Sequence, residues 1–270
     1  MVCASMPKIP LSEGRYLFGR DPLAYANARP DYPEELYQRL RTRCGLGPGV
    51  SAFEIGAGTG LATRRLLAFS VSPLWVIEPD ARLAGFLRER ISSDSLRVDQ
   101  VAFEEAELPE AEFHLGVAAT SFHWLDQGSG LAKVYRSLRS GGWWAMWWNH
   151  FASGDPDPFQ LATDHLFVGT PDSPSVGKNQ GVPFALDQQA RLEDLLLAGF
   201  CDPDVELWHW TIRYDTARLV ALYSTFSPIQ SLEPEARQVF LGSLAHIADE
   251  QFGGHVERPF TSVLYTARKP

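Results

Sequence analysis

Short apolar stretches alternate with amphipathic stretches along the first half of the chain. The apolar stretches predict five strands, over residues 51–55, 74–77, 98–103, 113–119 and 143–148. The stretches between them repeat apolar residues three or four positions apart, which predicts helices over residues 33–44, 61–69, 80–91 and 131–138. We expect Gly141 and Gly142 to end the last of these helices. Strands that alternate with helices indicate a parallel sheet with helices on both faces.

The second half of the chain has a different pattern. Residues 150–184 are rich in Pro, Gly, Asp and Ser, with one predicted helix near 159–167, and a loop-rich stretch of this length is often a lid. Beyond it we predict helices over 186–198, 216–226 and 234–252 and strands over 205–214 and 261–268. The fold class is therefore α/β, with a doubly wound, mostly parallel seven-stranded sheet and an inserted lid of loops and helices. We expect one domain over residues 1–270, divided into a cofactor-binding core (34–150), a lid-like insertion (151–185) and the remaining sheet and helices (186–270).

Composition and charge narrow the classes of function. Of 270 residues, 45% are hydrophobic and the net charge is −9, whereas a nucleic-acid-binding protein needs a basic surface. We therefore expect no nucleic-acid partner. The chain has no apolar run of ~20 residues and no signal-peptide pattern, so we expect no membrane insertion and a cytoplasmic location. We expect the protein to be a monomer or a homodimer. Cys3, Cys44 and Cys201 are odd in number and far apart, which indicates neither a disulfide framework nor a zinc site.

The strongest chemical signal is a glycine-rich loop between the first strand and the following helix. It reads Phe53-Glu54-Ile55-Gly56-Ala57-Gly58-Thr59-Gly60. Alternate glycines permit a tight turn and let a ligand approach the bare backbone, and the helix start offers free N–H groups to an anion. A dinucleotide loop with GxGxxG spacing would need glycine where Leu61 stands. Glu78 ends the second strand, at about the distance expected of an acid that binds a ribose.

This loop, Glu78-Pro79 and the segment Thr120-Ser121-Phe122-His123-Trp124 resemble class I S-adenosylmethionine (SAM)-dependent methyltransferases, which have a Rossmann-like fold. The similarity is greatest to the small-molecule group of type 11-like enzymes that includes ubiquinone/menaquinone and trans-aconitate methyltransferases. Residues 25–33 are also similar to the N-terminal segment of that group, and the resemblance is good over residues 18–150. One departure is His114, where the family commonly has an acid.

The resemblance implies SAM as cofactor, S-adenosylhomocysteine as product, and a methyl transfer to a small-molecule acceptor. It implies that the methionyl end lies at Glu54 and Gly56, over the loop backbone that includes Ala57, Gly58 and Gly60. It further implies that Glu78 and Pro79 hold the ribose, that Ala102, Phe103 and Glu104 contact adenine, and that Thr120 and Ser121 line the methyl side.

The residues that we expect nearest the acceptor are His123 and Trp124, with Tyr25 and Arg29 folded over the pocket. His123 either acts as a base, forms a hydrogen bond or only packs, and Arg29 either clamps a carboxylate through two hydrogen bonds or forms a salt bridge on a helix surface. Methyl transfer from a sulfonium needs alignment and desolvation, and it needs a base only where the acceptor must lose a proton. The histidines show no metal-ligand spacing, so we expect no metal.

Two other classes of function stay open on the sequence alone. A nicotinamide-dependent oxidoreductase is disfavoured by the loop spacing and by the lack of a Tyr-x-x-x-Lys pair. A protein that binds SAM without transferring its methyl group has the same glycines and the same Glu78. The loop therefore indicates SAM binding more strongly than it indicates turnover.

Overall fold

Seven strands form one sheet in the order β3-β2-β1-β4-β5-β7-β6 in the computed structural model, which describes residues 8–151, 156–177 and 181–270. The strands are β1 Ala52–Ile55, β2 Leu74–Ile77, β3 Leu96–Asp99, β4 Phe113–Ala119, β5 Leu138–Phe151, β6 Cys201–Asp215 and β7 His255–Arg268. Neighbouring strands are parallel except that β7 runs antiparallel to both β5 and β6. The predicted doubly wound, mostly parallel seven-stranded sheet is confirmed.

Eleven α-helices are assigned among the described residues. They are α1 Leu11–Gly14, α2 Pro22–Ala28, α3 Glu34–Cys44, α4 Leu61–Ala68, α5 Ala81–Arg90, α6 Gln127–Ser137, α7 Pro158–Thr163, α8 Gln188–Leu197, α9 Thr216–Ser224, α10 Ser227–Gln230 and α11 Pro234–Phe252. The predicted helix over 234–252 has the observed bounds, and α3, α4, α5 and α8 lie within one to three residues of their predictions.

The sheet is buried on both faces because successive side chains of a strand point to opposite sides. On β5, Trp144, Met146 and Trp148 pack into one apolar cluster, while Ala145 and Trp147 pack into the cluster on the other face. A third cluster joins α7, α9 and α11 to the start of β7. Trp144 and Trp147 are therefore part of the sheet core.

Four strand predictions, for β3, β5, β6 and β7, had the wrong bounds. β5, β6 and β7 begin at residues 138, 201 and 255, before their predicted starts at 143, 205 and 261. The third strand is Leu96–Asp99, so Phe103 lies in a turn beyond it. The paired glycines do not end a helix: α6 ends at Ser137 because Leu138 is already extended, and Gly142 lies inside β5. The pairing of β4 with β5 shifts register between Phe113 and Leu115. A Cβ on Gly142 would lie 2.9–3.0 Å from two carbonyl oxygens at this irregularity, so the position requires glycine.

The N-terminal segment, residues 8–32, covers the carboxyl ends of the strands. Arginine side chains attach it to the rest of the chain: Arg15 pairs with Glu104, Arg20 donates to the carbonyl of Gln230, Arg29 donates to Thr225, and Arg82 donates to the carbonyl of Tyr16. The helices α1 and α2 in this segment were not predicted. Of the expected lid over 151–185, residues 152–155 and 178–180 lie outside the described residues, as does Cys3.

Candidate active site

A cavity of about 320 Å³ opens at the carboxyl ends of β1, β2, β4 and β5. This is the edge of an open α/β sheet where ligands bind. The floor consists of the glycine loop and the residues that end these strands. The roof consists of parts of the N-terminal segment, residues 226–228, and the residues Ser173, Ser175, Val176, Phe184 and Ala185.

Gly56, Gly58 and Gly60 all have positive φ values, of 67°, 58° and 83°. Their surroundings differ. A Cβ on Gly56 would lie 2.6 Å from the Cβ of Ser121, and a Cβ on Gly60 would lie 2.6 Å from both Leu87 and Ile91. A Cβ on Gly58 would meet no atom within 4 Å. Gly56 and Gly60 are therefore needed for packing, while Gly58 leaves open space beside the cavity. Gly56, Ala57 and Gly58 line the cavity, and Gly60 does not.

Glu78 lines the cavity at the end of β2 and is almost fully buried. One carboxylate oxygen accepts a hydrogen bond from the Gly58 N–H at 2.8 Å, and the other accepts one from the Asp80 N–H at 3.0 Å. Burial raises the pKa of Glu78 to about 7, although both N–H donors act to lower it. Since each oxygen accepts more than one hydrogen bond, the carboxylate can tie the glycine loop to β2 and still accept from a ligand.

Glu54 lies beneath the loop rather than on the cavity wall. Its side chain is fully buried, and Oε2 accepts a hydrogen bond from the Thr63 hydroxyl at 2.6 Å. The other oxygen, Oε1, is buried and has no hydrogen-bond partner within the described chain. Burial raises the pKa of Glu54 to about 7. An unpartnered buried oxygen of this kind is costly and suits a site that receives a cation or a donor.

The segment expected at adenine is divided by the structure. Phe103 is buried and lines the cavity, as does Pro79. Ala102 and Glu104 do not line it. Glu104 instead accepts two hydrogen bonds of 2.9 Å from Arg15, a residue of the N-terminal segment that sequence reasoning had not considered.

Thr120 and Ser121 line the cavity where β4 ends. The Ser121 hydroxyl donates to the Ile55 carbonyl, which joins the end of β4 to the end of β1. Thr120 has a positive φ of 54°, and its hydroxyl lies 2.7 Å from the hydroxyl of Tyr32. These contacts hold the floor of the cavity together at the point where the glycine loop begins.

His123 and Trp124 form a 3-10 turn after β4, and both line the cavity. The Trp148 indole Nε1–H donates to Nδ1 of His123 at 3.0 Å. Burial, together with the charge of Arg29, lowers the pKa of His123 to about 3. His150, two residues beyond Trp148 on β5, also lines the cavity, and burial lowers its pKa to about 4.

Arg29 reaches the cavity from just beyond α2. Its Nε donates to the Thr225 hydroxyl at 2.8 Å and its Nη2 to the Thr225 carbonyl at 3.1 Å. The guanidinium carbon lies 5.1–5.6 Å from the ring centroids of Tyr25, Phe151 and Phe226. Within residues 8–151, 156–177 and 181–270, no carboxylate pairs with Arg29. Among the described residues, the cavity therefore contains a cation that no carboxylate pairs with.

Several residues that line the cavity were not assigned to the site from the sequence, among them Arg15, Tyr32, Trp148 and Phe184. Tyr32 lies in the N-terminal stretch that carried the family resemblance. Trp148 falls in the predicted strand over residues 143–148, but its hydrogen bond to His123 depends on a turn after another strand. No comparable signal marked Arg15 or Phe184, because each reaches the cavity from a loop or helix far away in sequence.

None of the helices in the described chain has the length and apolar character required to cross a bilayer. No group of three or more His, Cys, Asp or Glu side chains in residues 8–151, 156–177 and 181–270 is arranged to hold a metal ion.

Comparison with known proteins places the glycine loop in a known family. Residues 53–146 match the family model described as a methyltransferase domain. The chain is 26% identical over 132 residues to an uncharacterized methyltransferase of Schizosaccharomyces pombe, covering 49% of this chain and 52% of that protein. It is 27% identical over 132 residues to an uncharacterized methyltransferase of Mycobacterium bovis, covering 49% and 51%. The match thus spans about half the length of these curated relatives.

Solved structures share the fold. Phosphoethanolamine N-methyltransferase 2 of Haemonchus contortus, solved with phosphomonomethylethanolamine and S-adenosylhomocysteine, has a TM-score of 0.58 at 14% identity, covering 95% of this chain and 60% of that chain. The YcgJ protein of Bacillus subtilis has a TM-score of 0.55 at 16% identity, covering 87% and 97%. With the family match, this confirms the predicted class: residues 53–146 form a class I methyltransferase domain.

Proposed function

We propose that this chain binds SAM in the cavity and transfers its methyl group to a small organic acceptor. The single observation that carries the proposal is Glu78. This buried carboxylate at the end of β2 lines the cavity and accepts a hydrogen bond of 2.8 Å from the Gly58 N–H. At Gly58 the loop leaves open space, because a Cβ there would meet no atom within 4 Å. This arrangement suits a ligand that presents ribose hydroxyls and lies against bare backbone.

The residues present fit SAM at both ends. The ribose would be held by Glu78, and the backbone of Gly56 and Gly58 would lie against the cofactor. The unpartnered Oε1 of Glu54 provides a buried negative group close to the loop, which suits the cationic methionyl end. Phe103 offers an aromatic ring for the adenine, whereas Glu104 is held by Arg15.

The acceptor would occupy the part of the cavity between Arg29 and His123. Arg29 has a guanidinium surrounded by aromatic rings and no acid partner in the described chain, so an anionic group on the acceptor would supply the missing counterion. The roof over this part, which includes Ser175, Val176 and Phe184, favours a small molecule and the exclusion of water. The lid assigned to residues 151–185 is part of this proposal.

SAM, when bound, supplies a methyl group on a sulfonium, which is an excellent leaving group. The protein's contribution is therefore alignment and a dry site. The cavity walls include Trp124, Trp148, Phe184 and Phe226, whose rings exclude water. Arg29 and His123 would orient the acceptor. An acceptor that is already ionised needs no base.

A transfer assay with radiolabelled SAM and a panel of small carboxylic acids, phenols and quinols tests the proposal. We expect label to enter at least one organic acid and S-adenosylhomocysteine to accumulate with it. Binding of SAM without transfer across a broad panel would support a binding protein instead. A stabilisation by NAD⁺ and none by SAM in a melting experiment would overturn the cofactor assignment.

A further inference from the structure

The hydrogen bond between Trp148 and His123 determines which nitrogen of the histidine carries the proton. An indole N–H is a donor and never an acceptor. Because the Trp148 Nε1–H points at Nδ1 of His123 at 3.0 Å, Nδ1 must provide the lone pair. In a neutral imidazole one nitrogen accepts and the other donates. The proton of His123 is therefore on Nε2.

Packing keeps this pair in place. The His123 side lies in the short turn Phe122–Trp124, and the Trp148 side lies near the end of β5, where both residues are buried. The imidazole centroid lies 5.2 Å from the Trp124 ring and 6.1 Å from the Phe184 ring. Trp148 in turn packs against Tyr265 with centroids 6.2 Å apart. A rotation of either ring would disturb several aromatic contacts and leave a buried indole N–H without an acceptor.

Nε2 is the ring nitrogen that forms no hydrogen bond within the described chain, and His123 lines the cavity. The charged group that acts on the ring is Arg29, from beside α2, and its positive charge disfavours protonation. The other neighbours are the rings of Trp124, Trp148 and Phe184, which carry no charge. The ring is thus held neutral, with its N–H on the nitrogen that is free to bind a ligand.

We infer that Trp148 is a positioning residue that makes His123 a fixed hydrogen-bond donor to the acceptor molecule, so that His123 does not remove a proton from it. The inference rests on the proposed function, because it assigns the acceptor to this part of the cavity. The Nε2–H of His123 donates a hydrogen bond to a lone pair of the acceptor, and no proton is transferred. Together with the cation of Arg29, this donor selects an acceptor whose reacting group is an oxyanion at neutral pH, such as a carboxylate. An un-ionised phenol would find no base at His123.

The tautomer can be observed without knowing the acceptor. Long-range ¹H–¹⁵N correlation spectra of ¹⁵N-labelled protein distinguish a protonated Nε2 from a protonated Nδ1. We expect His123 to show a protonated Nε2 and a bare Nδ1 at every pH from about 5.5 to 8.5, well above its lowered pKa. In Trp148→Phe the donor is lost, and we expect a mixture of tautomers. Trp144→Phe is the matched control, because Trp144 is a buried tryptophan of the same strand whose Nε1 has no partner in the described chain. A protonated Nδ1, or a ring that titrates near pH 6–7, would overturn the inference.

Kinetics on the acceptor found by the transfer assay provide the second readout. For a donor, His123→Gln keeps an N–H near the same place, so kcat should fall less than tenfold, while His123→Ala should raise the acceptor KM about tenfold, corresponding to one lost hydrogen bond. For a base, both variants should lose kcat by about 100-fold or more and lose the low-pH limb of the rate profile. A kcat loss of this size in both variants, with loss of the low-pH limb, would overturn the inference even if Nε2 is protonated. Failure of the proposed function would instead appear as an absence of SAM binding by calorimetry, with the tautomer result unaffected.

Discussion

The two parts of the cavity are built in different ways. The cofactor part consists mainly of the cavity-lining residues of the glycine loop and of residues 77–79, at the ends of β1 and β2, so the geometry of the sheet brings them together. The acceptor part joins Arg29, the turn after β4, the end of β5 and two roof segments that are far apart in sequence. The first part is therefore local and rigid, whereas the second depends on long-range packing. Such a division lets the acceptor part vary while the cofactor part keeps its form.

The two parts also differ in electrostatics. Two buried carboxylates belong to the cofactor side: Glu78 lines the cavity, and Glu54 lies beneath the glycine loop; burial raises the pKa of both. The acceptor part has the cation Arg29 and two histidines, His123 and His150, whose pKa values burial lowers. A cationic cofactor would complement the carboxylates, and an anionic acceptor would complement Arg29.

The largest effect is expected from Glu78→Gln. The amide retains the shape of the side chain, but it removes the charge that favours hydrogen bonds to a ribose, and a charged hydrogen bond contributes about 1.5–3 kcal/mol. SAM affinity should therefore fall by about 10- to 100-fold, measured by calorimetry. The exposed Glu105→Gln, in a nearby turn, is the control and should bind as the wild type does. An unchanged affinity in Glu78→Gln would remove the central support for the cofactor part.

Arg29→Gln tests the acceptor part. Loss of the cation should raise the acceptor KM by about tenfold, in the range of a charged hydrogen bond, and leave the dissociation constant of SAM within about twofold. Arg20→Gln is the matched control: this exposed arginine also belongs to the N-terminal segment, but it does not line the cavity. If Arg29→Gln weakened SAM binding by the same factor by which it raised the acceptor KM, Arg29 would serve both parts of the cavity and the division into two parts would be wrong.

Glu54→Gln should stabilise the SAM-free protein at pH 8. The folded-state pKa of Glu54 is about 7, above its ordinary value of 4.5, so the folded state binds more protons than the unfolded state between these values. Stability therefore decreases as pH rises through that window. Allowing for the weaker hydrogen bond to Thr63, we expect a gain of about 1 kcal/mol at pH 8 and little gain at pH 5. Urea denaturation at both pH values measures it, with the exposed Glu257→Gln as control. Equal effects at both pH values would contradict the raised pKa.

The smallest effect is expected from Glu104→Gln. Its partner Arg15 is mostly buried, but Glu104 itself is 45% exposed, and an ion pair with one exposed member contributes about 1 kcal/mol or less. Since Glu104 does not line the cavity, SAM affinity should change by less than about threefold. A tenfold loss of SAM affinity would instead indicate that Glu104 contacts the adenine, as the family resemblance implied.

The cofactor part was the more predictable part because it is continuous in sequence. β2 and β4 have the bounds that their apolar runs predicted, and both are bounded by turns or polar residues. The position of Glu78 at the end of β2 placed it beside the loop, because the carboxyl ends of parallel strands meet at one edge. For β3 the bounds were wrong, since this edge strand is only half-buried and its apolar pattern is weak. Phe103 is apolar because it packs near the cavity, not because it belongs to a strand.

The acceptor part was only partly predictable. His123, Trp124, Tyr25 and Arg29 all line the cavity, but what each can do depends on partners that are distant in sequence. Whether His123 is a donor or a base follows from the direction of the Trp148 indole. That direction results from packing between the ends of two strands, which no local pattern records.

A crystal structure with S-adenosylhomocysteine tests the central claim most directly. We expect the ribose hydroxyls to hydrogen-bond to the Glu78 carboxylate, the ligand to lie against Gly58, and its sulfur to face the part of the cavity between Arg29 and His123. A ligand whose ribose is held elsewhere, or whose sulfur faces away from His123, would contradict it.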